Sequence, residues 1–328
     1  MPTNLPPEYY DAEERYRQAE TQEERIRRLE ELISTVPKHK GTDHLRADLR
    51  RKLSKMKEAA EKKPAAARQV SPYQIDREGA GQVVIAGPPN TGKSALLAAL
   101  TNAEPEVEPF PYSTWGPTPG MMPVENVQIQ LIDTPPLNED HVEPHMMDLI
   151  RRADLLLLVI DLQGYPLEQI EEAAALLETQ HIAPAHRREE FGDDLRWRFV
   201  PTLVVVNKVD DESLDEDYEV LCELVDDGWP LLPISVETGR GLEAFKWTVF
   251  ERLGIIRVYS KPPNKEADLT APFVLKKGST VEVFAGKVHQ DFVKELKSAR
   301  IWGTGVYDGQ MVGRDHVLHD GDVVELRV

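Results

Sequence analysis

The sequence predicts an α/β fold: a mostly parallel sheet covered by helices, with a helical hairpin ahead of it and a small α+β unit behind. Three observations carry this expectation. Short apolar runs alternate with helical intervals between residues 82 and 234, and several of those runs are apolar on both faces. After about residue 254 the pattern changes to short strands around one helix. With 328 residues and 41% hydrophobic content, the chain is long enough for two or three ordinary cores.

Taken in order, residues 8–35 are rich in Glu and Arg, and Thr21 followed by Glu24 has the spacing of a capping box. Ile26, Leu29, Leu32 and Ile33 then fall on one helical face. Residues 37–41 break that helix, and a second one over about 43–62 aligns Leu45, Leu49, Leu53 and Met56. The stretch from Pro64 reads as a linker. Strands are expected at 83–86, 129–132, 155–160, 203–206 and 231–234, and a last helix ends near Leu253. The tail adds strands at 255–259, 273–275 and 323–327 with a helix over 280–289. The expected division is 1–70, 71–254 and 255–328.

Composition narrows the function classes. The single cysteine, Cys222, rules out a disulfide framework and suits a reducing, cytoplasmic compartment. No secretory signal is read at the N-terminus. The most apolar run, 155–160, is far shorter than the roughly 20 residues that span a bilayer, so no membrane partner is expected. The net charge of −18 argues against a protein that coats nucleic acid over its whole surface. That charge is concentrated in the centre, because residues 1–70 carry 16 Lys/Arg against 13 Asp/Glu and residues 256–328 carry 11 against 10. Residues 38–68 hold 11 basic against 4 acidic side chains, a surplus that could meet phosphates or simply form a solvated helix face.

The chemistry lies in the central region. Gly87-Pro88-Pro89-Asn90-Thr91-Gly92-Lys93-Ser94 fits G-x-x-x-x-G-K-[ST], between a strand and a helix starting near Ala95, which is the context of a P-loop. Glycines let backbone N–H groups turn toward phosphates, Lys93 reaches the β- and γ-phosphates, and Ser94 can ligate Mg²⁺. Asp133, at the end of the strand expected beside this loop, would hold Mg²⁺ through water. Asn207-Lys208-Val209-Asp210 follows a strand, and the Asp210 carboxylate can pair with the N1–H and 2-amino group of guanine. Ser235 and Val236, after the last strand, complete the base pocket. Together these motifs point to GTP and GDP. The Pro/Gly-rich stretch 110–120 is expected to be a mobile switch rather than a strand, with Thr114 as the second Mg²⁺ hydroxyl and Ser113 as runner-up. His141 and His145, and His316 and His319, lack a third ligand and are read as surface residues.

In this order the motifs resemble those of the Obg-related GTPases, and most closely the developmentally regulated GTP-binding (DRG) proteins. The residues carrying the likeness are Tyr112-Ser113-Thr114-Trp115 and the stretch from Lys38 to Leu45. The tail is similar to a TGS domain, a β-grasp module, through the segment from Ile256 to Pro262, Trp302-Gly303, and the segment from His319 to Glu325. The resemblance implies GTP hydrolysis associated with ribosomes or translation; an RNA-containing partner and a regulatory protein partner are further expectations. Three departures stand out. About 40 residues separate Asp161 from Pro201, too few for the additional domain that DRG proteins insert there. Pro136 replaces a glycine whose N–H would meet the γ-phosphate, and proline has none. Leu137 stands where many small GTPases place a water-orienting Gln. Asn90 then suggests K⁺ near the phosphates, because P-loop Asn in similar GTPases helps hold that ion. A competing expectation is a nucleotide-binding scaffold or interaction protein with negligible turnover.

Overall fold

The computed structural model describes residues 12, 15–16, 22–36, 49–53, 71–102, 116–137, 143–192, 194–225, 228–263 and 265–327. Thr114, Ser113, His141, the capping residue Thr21, the linker from Pro64 and most of the basic stretch 38–68 lie outside them. The chain falls into two compact units, residues 1–71 and 72–328. In the first, α1 (Gln22–Thr35) buries Leu29 and Leu32 together with Ala12 and Val36. Leu49 and Leu53, in the helical stretch 49–53, pack on the same cluster, as the shared apolar stripe predicts.

The second unit is built on β1 (Gln82–Ala86), β2 (Thr118–Val124), β3 (Val127–Asp133), β4 (Leu155–Asp161), β7 (Thr202–Asn207) and β8 (Leu231–Pro233). These form one sheet in the order β2-β3-β1-β4-β7-β8, parallel except for the β2–β3 hairpin. Alternate residues of each central strand feed opposite cores. Val84, Ala86, Leu156, Leu158, Val204 and Val206 face α3 (Pro144–Arg152) and α4 (Pro166–Thr179). Val83, Ile85, Leu155, Leu157, Leu203 and Val205 face α2 (Lys93–Leu100) and the helix Leu242–Arg252. Chain order reverses beside β1, between β3 and β4, so the carboxyl end of β1 lies at a topological switch point, the usual crevice for a ligand in such sheets.

One expectation is corrected here: the stretch 110–120 is not loop to its end. Thr118, Pro119 and Gly120 begin β2, which pairs antiparallel with β3. Pro119 and Pro123 are compatible with pairing because, among the described residues, β2 is the sheet edge, where a missing N–H faces away from the ladder. A second small sheet, β5 (Ile182–Pro184) with β6 (Arg198–Val200), lies between Asp161 and Pro201, together with the short helix α5 (Arg188–Phe191). The helices α6 (Asp215–Leu224) and α7 (Leu242–Arg252) complete the layer.

The tail forms a mixed sheet of β9 (Ile255–Ser260), β10 (Phe273–Lys276), β11 (Ser298–Trp302), β12 (Gln310–Val312) and β13 (Asp322–Arg327), in the order β10-β9-β13-β11-β12. Between β10 and β11 run α8 (Val281–Val288) and α9 (Gln290–Glu295). Phe284 of α8 is fully buried edge-on to Phe273, at the centre of an independent apolar cluster. Asp322 is fully buried and accepts from the Thr304 and His319 N–H groups at 3.1 and 2.8 Å. A Cβ on Gly303 would lie 2.0 Å from that carboxylate, so only glycine fits there.

Candidate functional site

β1 ends at Ala86, and the loop 87–92 turns back over the start of α2. Asn90 and Gly92 both hold positive φ, 62° and 92°. At Gly92 a side chain is also excluded by space, since a Cβ would meet the Asn207 amide at 2.4 Å. The result is a helix N-terminus with Lys93, Ser94 and Ala95 in its first turn. Gly87, Thr91 and Lys93 are buried, whereas Asn90, Ser94 and Ala95 are exposed. Thr91 closes the loop by donating to the Pro88 carbonyl at 3.2 Å.

Asn207 ties the site together. Its Nδ2 donates to the Thr91 carbonyl at 2.9 Å, and its Oδ1 accepts from the Val236 N–H at 3.1 Å. One buried amide thus joins the phosphate loop, the end of β7 and the loop after β8. Beyond it, Ser235 Oγ donates to Asp210 Oδ1 at 2.6 Å, aiming that carboxylate from a fully buried hydroxyl. The loop after β8 is steadied by Arg240, which donates to the Asp211 carbonyl at 3.0 Å and to Asp215 at 2.8 Å. Lys208, at φ 66°, pairs with Asp161, while Gln163 donates to the Lys208 carbonyl at 3.1 Å. Asp161 and Gln163 were not singled out from the sequence. Their signal, a carboxylate ending a buried strand next in order, gains meaning only once β4 is seen beside β7.

At the other end, Ser94 Oγ donates to Asp133 Oδ2 at 2.6 Å. Asp133 Oδ1 is buried with no hydrogen-bond partner among the described residues. Burial raises the Asp133 pKa, against the lowering pull of Ser94 and Lys93. A hydroxyl and an orphaned buried carboxylate oxygen beside a phosphate loop are the donor set expected of a Mg²⁺ site, so the residues present fit that ion. Lys93 donates to the Pro88 carbonyl at 2.5 Å, and burial pushes its ammonium down to about 8, only partly offset by Asp133. Leu137 is buried and its N–H donates to the Gly87 carbonyl at 3.0 Å, which anchors the segment after Pro136 to the phosphate loop. No cluster of three His, Cys, Asp or Glu side chains suits a metal among the described residues.

Residues 82–208 match the family described as 50S ribosome-binding GTPase, and residues 256–328 match the TGS domain. An uncharacterized GTP-binding protein of Methanocaldococcus jannaschii is 29% identical over 93% of this chain and 92% of its own. Developmentally-regulated G-protein 2 of Arabidopsis thaliana is 26% identical over 92% of this chain and 90% of its own. Ribosome-interacting GTPase 1 of Saccharomyces cerevisiae is 24% identical over 92% and 98%. Among solved structures, the Schizosaccharomyces pombe YchF GTPase superposes with a TM-score of 0.53 at 15% identity, over 77% of this chain and 99% of that one, and shows the shared fold.

Proposed function

We propose that this GTP-binding protein, DRG-like and Obg-related with a C-terminal TGS domain, hydrolyses GTP to GDP and phosphate in association with the ribosome. The observation that carries this reading is the Asn207 staple. It ties the loop that leads into Lys93 and Ser94, the latter bonded to Asp133, to the loop whose Ser235 orients the Asp210 carboxylate. Asp210 reads the guanine edge, Lys208 and Val236 border the base, and the amides of 87–95 receive the phosphates. Lys93 neutralises charge that develops on the β–γ bridge, and Ser94, Asp133 and Thr114 are the residues that would hold Mg²⁺, which supplies further charge neutralisation there. Asn90, exposed in its left-handed conformation, is the residue assigned to K⁺.

We assign residues 1–70, 71–254 and 255–328 to a helical region, the GTP-binding domain and the TGS domain. We read the interval of about 40 residues between Asp161 and Pro201 as lacking the additional domain that DRG proteins insert there. A ribosomal partner is supported by the names of the yeast relative and of the matching GTPase family. Among the described residues no helix is long and apolar enough to cross a membrane, and a cytoplasmic location follows from a ribosomal partner; a regulatory protein would engage the same states.

Steady-state phosphate release from GTP, measured with Mg²⁺ or EDTA and with or without ribosomes, tests this function. Mg²⁺-dependent turnover accelerated by ribosomes is expected. A second reading, a scaffold that binds nucleotide without turning it over, is favoured by Pro136 and by the Leu137 N–H already committed to Gly87. Binding of GTP with no phosphate release under any of these conditions would select it. Replacing KCl by NaCl at constant ionic strength should slow the reaction in wild type and leave Asn90→Ala unchanged.

A further inference from the structure

The β2–β3 hairpin joins two places that the nucleotide site leaves unconnected. Its open end pairs Thr118 with Asp133, and its turn, Glu125–Asn126, ends against the TGS sheet. There Arg257 of β9, whose side chain is 9% exposed, donates to Glu125 and makes two bonds to Asp320 at 3.1 and 2.8 Å. Its guanidinium also lies 5.5 Å from the Trp247 ring and 5.2 Å from the Phe250 ring, both on α7. Asn126 Nδ2 donates to the Tyr259 hydroxyl at 2.8 Å and to the Leu269 carbonyl at 3.0 Å. Beneath the polar contacts, Ile255 belongs to the apolar cluster that holds Val124, Val127 and Phe250, and Val274 packs against it.

Glu125 occupies the first position of a two-residue hairpin loop at φ 48°, a conformation that favours glycine. A glutamate there gives up backbone comfort for a carboxylate placed on Arg257. The seven residue pairs of the ladder span roughly 20 Å and cannot slip by one without turning every side chain to the wrong face. We propose that this hairpin is a lever coupling magnesium-nucleotide occupancy at Asp133 to the seating of the TGS domain at Arg257. The inference rests on the assignment of Asp133 to the nucleotide site. When the orphaned Asp133 Oδ1 takes up its ligand, the end of β3 is fixed, and the shift is delivered to Glu125 and Asn126 because the strand pair has no slack. By linkage the effect is reciprocal: whatever loosens the tip changes the affinity for magnesium-nucleotide.

Hydrogen exchange of the β9 amides in the full-length protein, alone, with Mg-GDP and with a nonhydrolysable Mg-GTP analogue, tests the lever. Glu125→Gly keeps the turn conformation, and indeed favours it, while removing the carboxylate; Asn126→Ala removes the second contact. In wild type, nucleotide should change the β9 exchange rate by at least about fivefold. In the double variant that response should vanish, and the affinity for magnesium-nucleotide should shift. Guanine nucleotide binding with no change at β9, or a response of the same size in the double variant, would overturn the lever alone. Absence of any guanine nucleotide binding would overturn both the lever and the site assignment.

Discussion

Burial loosens the hold of Lys93 on its proton. In the folded protein its pKa is pushed down to about 8 by burial, against about 10.4 in an unfolded chain. Between those values the unfolded chain binds more protons than the folded one, so the stability of the nucleotide-free protein should rise as pH increases from about 8 to 10. The full effect is on the order of 3 kcal/mol, readable as a rising urea midpoint. A bound triphosphate favours the ammonium, so above pH 8 binding should take up a proton and affinity should fall toward tenfold per pH unit. Calorimetry at pH 9 in two buffers of different ionisation enthalpy measures that proton, and an uptake of zero would remove Lys93 from the phosphates. Asp210 makes a second test at this scale. With its carboxylate aimed by Ser235 at 2.6 Å, Asp210→Asn should weaken GTP by about 1 to 3 kcal/mol through unpaired donors and improve binding of xanthosine triphosphate. Competition between the two nucleotides in wild type and variant reads this directly, and unchanged selectivity would refute the assignment.

At the scale of elements, the segment after Asp133 is where this chain departs from a common nucleotide switch. Pro136 has no N–H for the γ-phosphate, and the next N–H, Leu137, donates to the Gly87 carbonyl with its side chain in the core. A hydrogen bond to a charged group contributes about 1.5 to 3 kcal/mol, so its absence should leave GTP and GDP bound with similar affinity. Pro136→Gly should raise the preference for a nonhydrolysable GTP analogue by about tenfold to a hundredfold, at a stability cost of roughly 0.4 to 1 kcal/mol from the freer unfolded chain. A strong analogue preference in wild type, unaltered by the substitution, would place γ-phosphate sensing elsewhere. The sequence announced this segment because its departures sit inside a motif. It likewise announced β1, β4 and β7, whose runs are apolar on both faces. It did not announce β2, since Pro119 and Pro123 read as loop residues and their tolerance depends on an edge that only the assembled sheet defines. The Asn207 staple was legible as a motif residue, but its bonds to Thr91 and Val236 were not, because they join loops far apart in the chain.

For the whole molecule, the proposed ribosomal partner calls for a surface that can meet a polyanion. The net charge of −18 opposes approach to RNA, and residues 256–328 are near neutral, with 11 Lys/Arg against 10 Asp/Glu. Residues 38–68, by contrast, hold 11 basic side chains against 4 acidic ones. These distributions make different predictions about salt. A neutral domain that docks by shape neutralises few phosphates, so its affinity should fall by about tenfold or less between 50 and 200 mM salt, whereas six or more phosphate contacts would cost about a thousandfold. Ribosome co-sedimentation with a nonhydrolysable GTP analogue, repeated across that salt range, separates them. We expect the steep dependence, because the TGS unit spends much of its charge internally: Lys261 and Arg327 on Glu325, and Arg257 on Asp320 and Glu125. Replacing Lys55, Lys57, Lys62 and Lys63 by Gln should then lower the salt slope by about one for each phosphate no longer neutralised while leaving GDP affinity unchanged. A shallow slope in wild type, or a steep one that survives the four replacements, would move the polyanion-binding surface away from this segment.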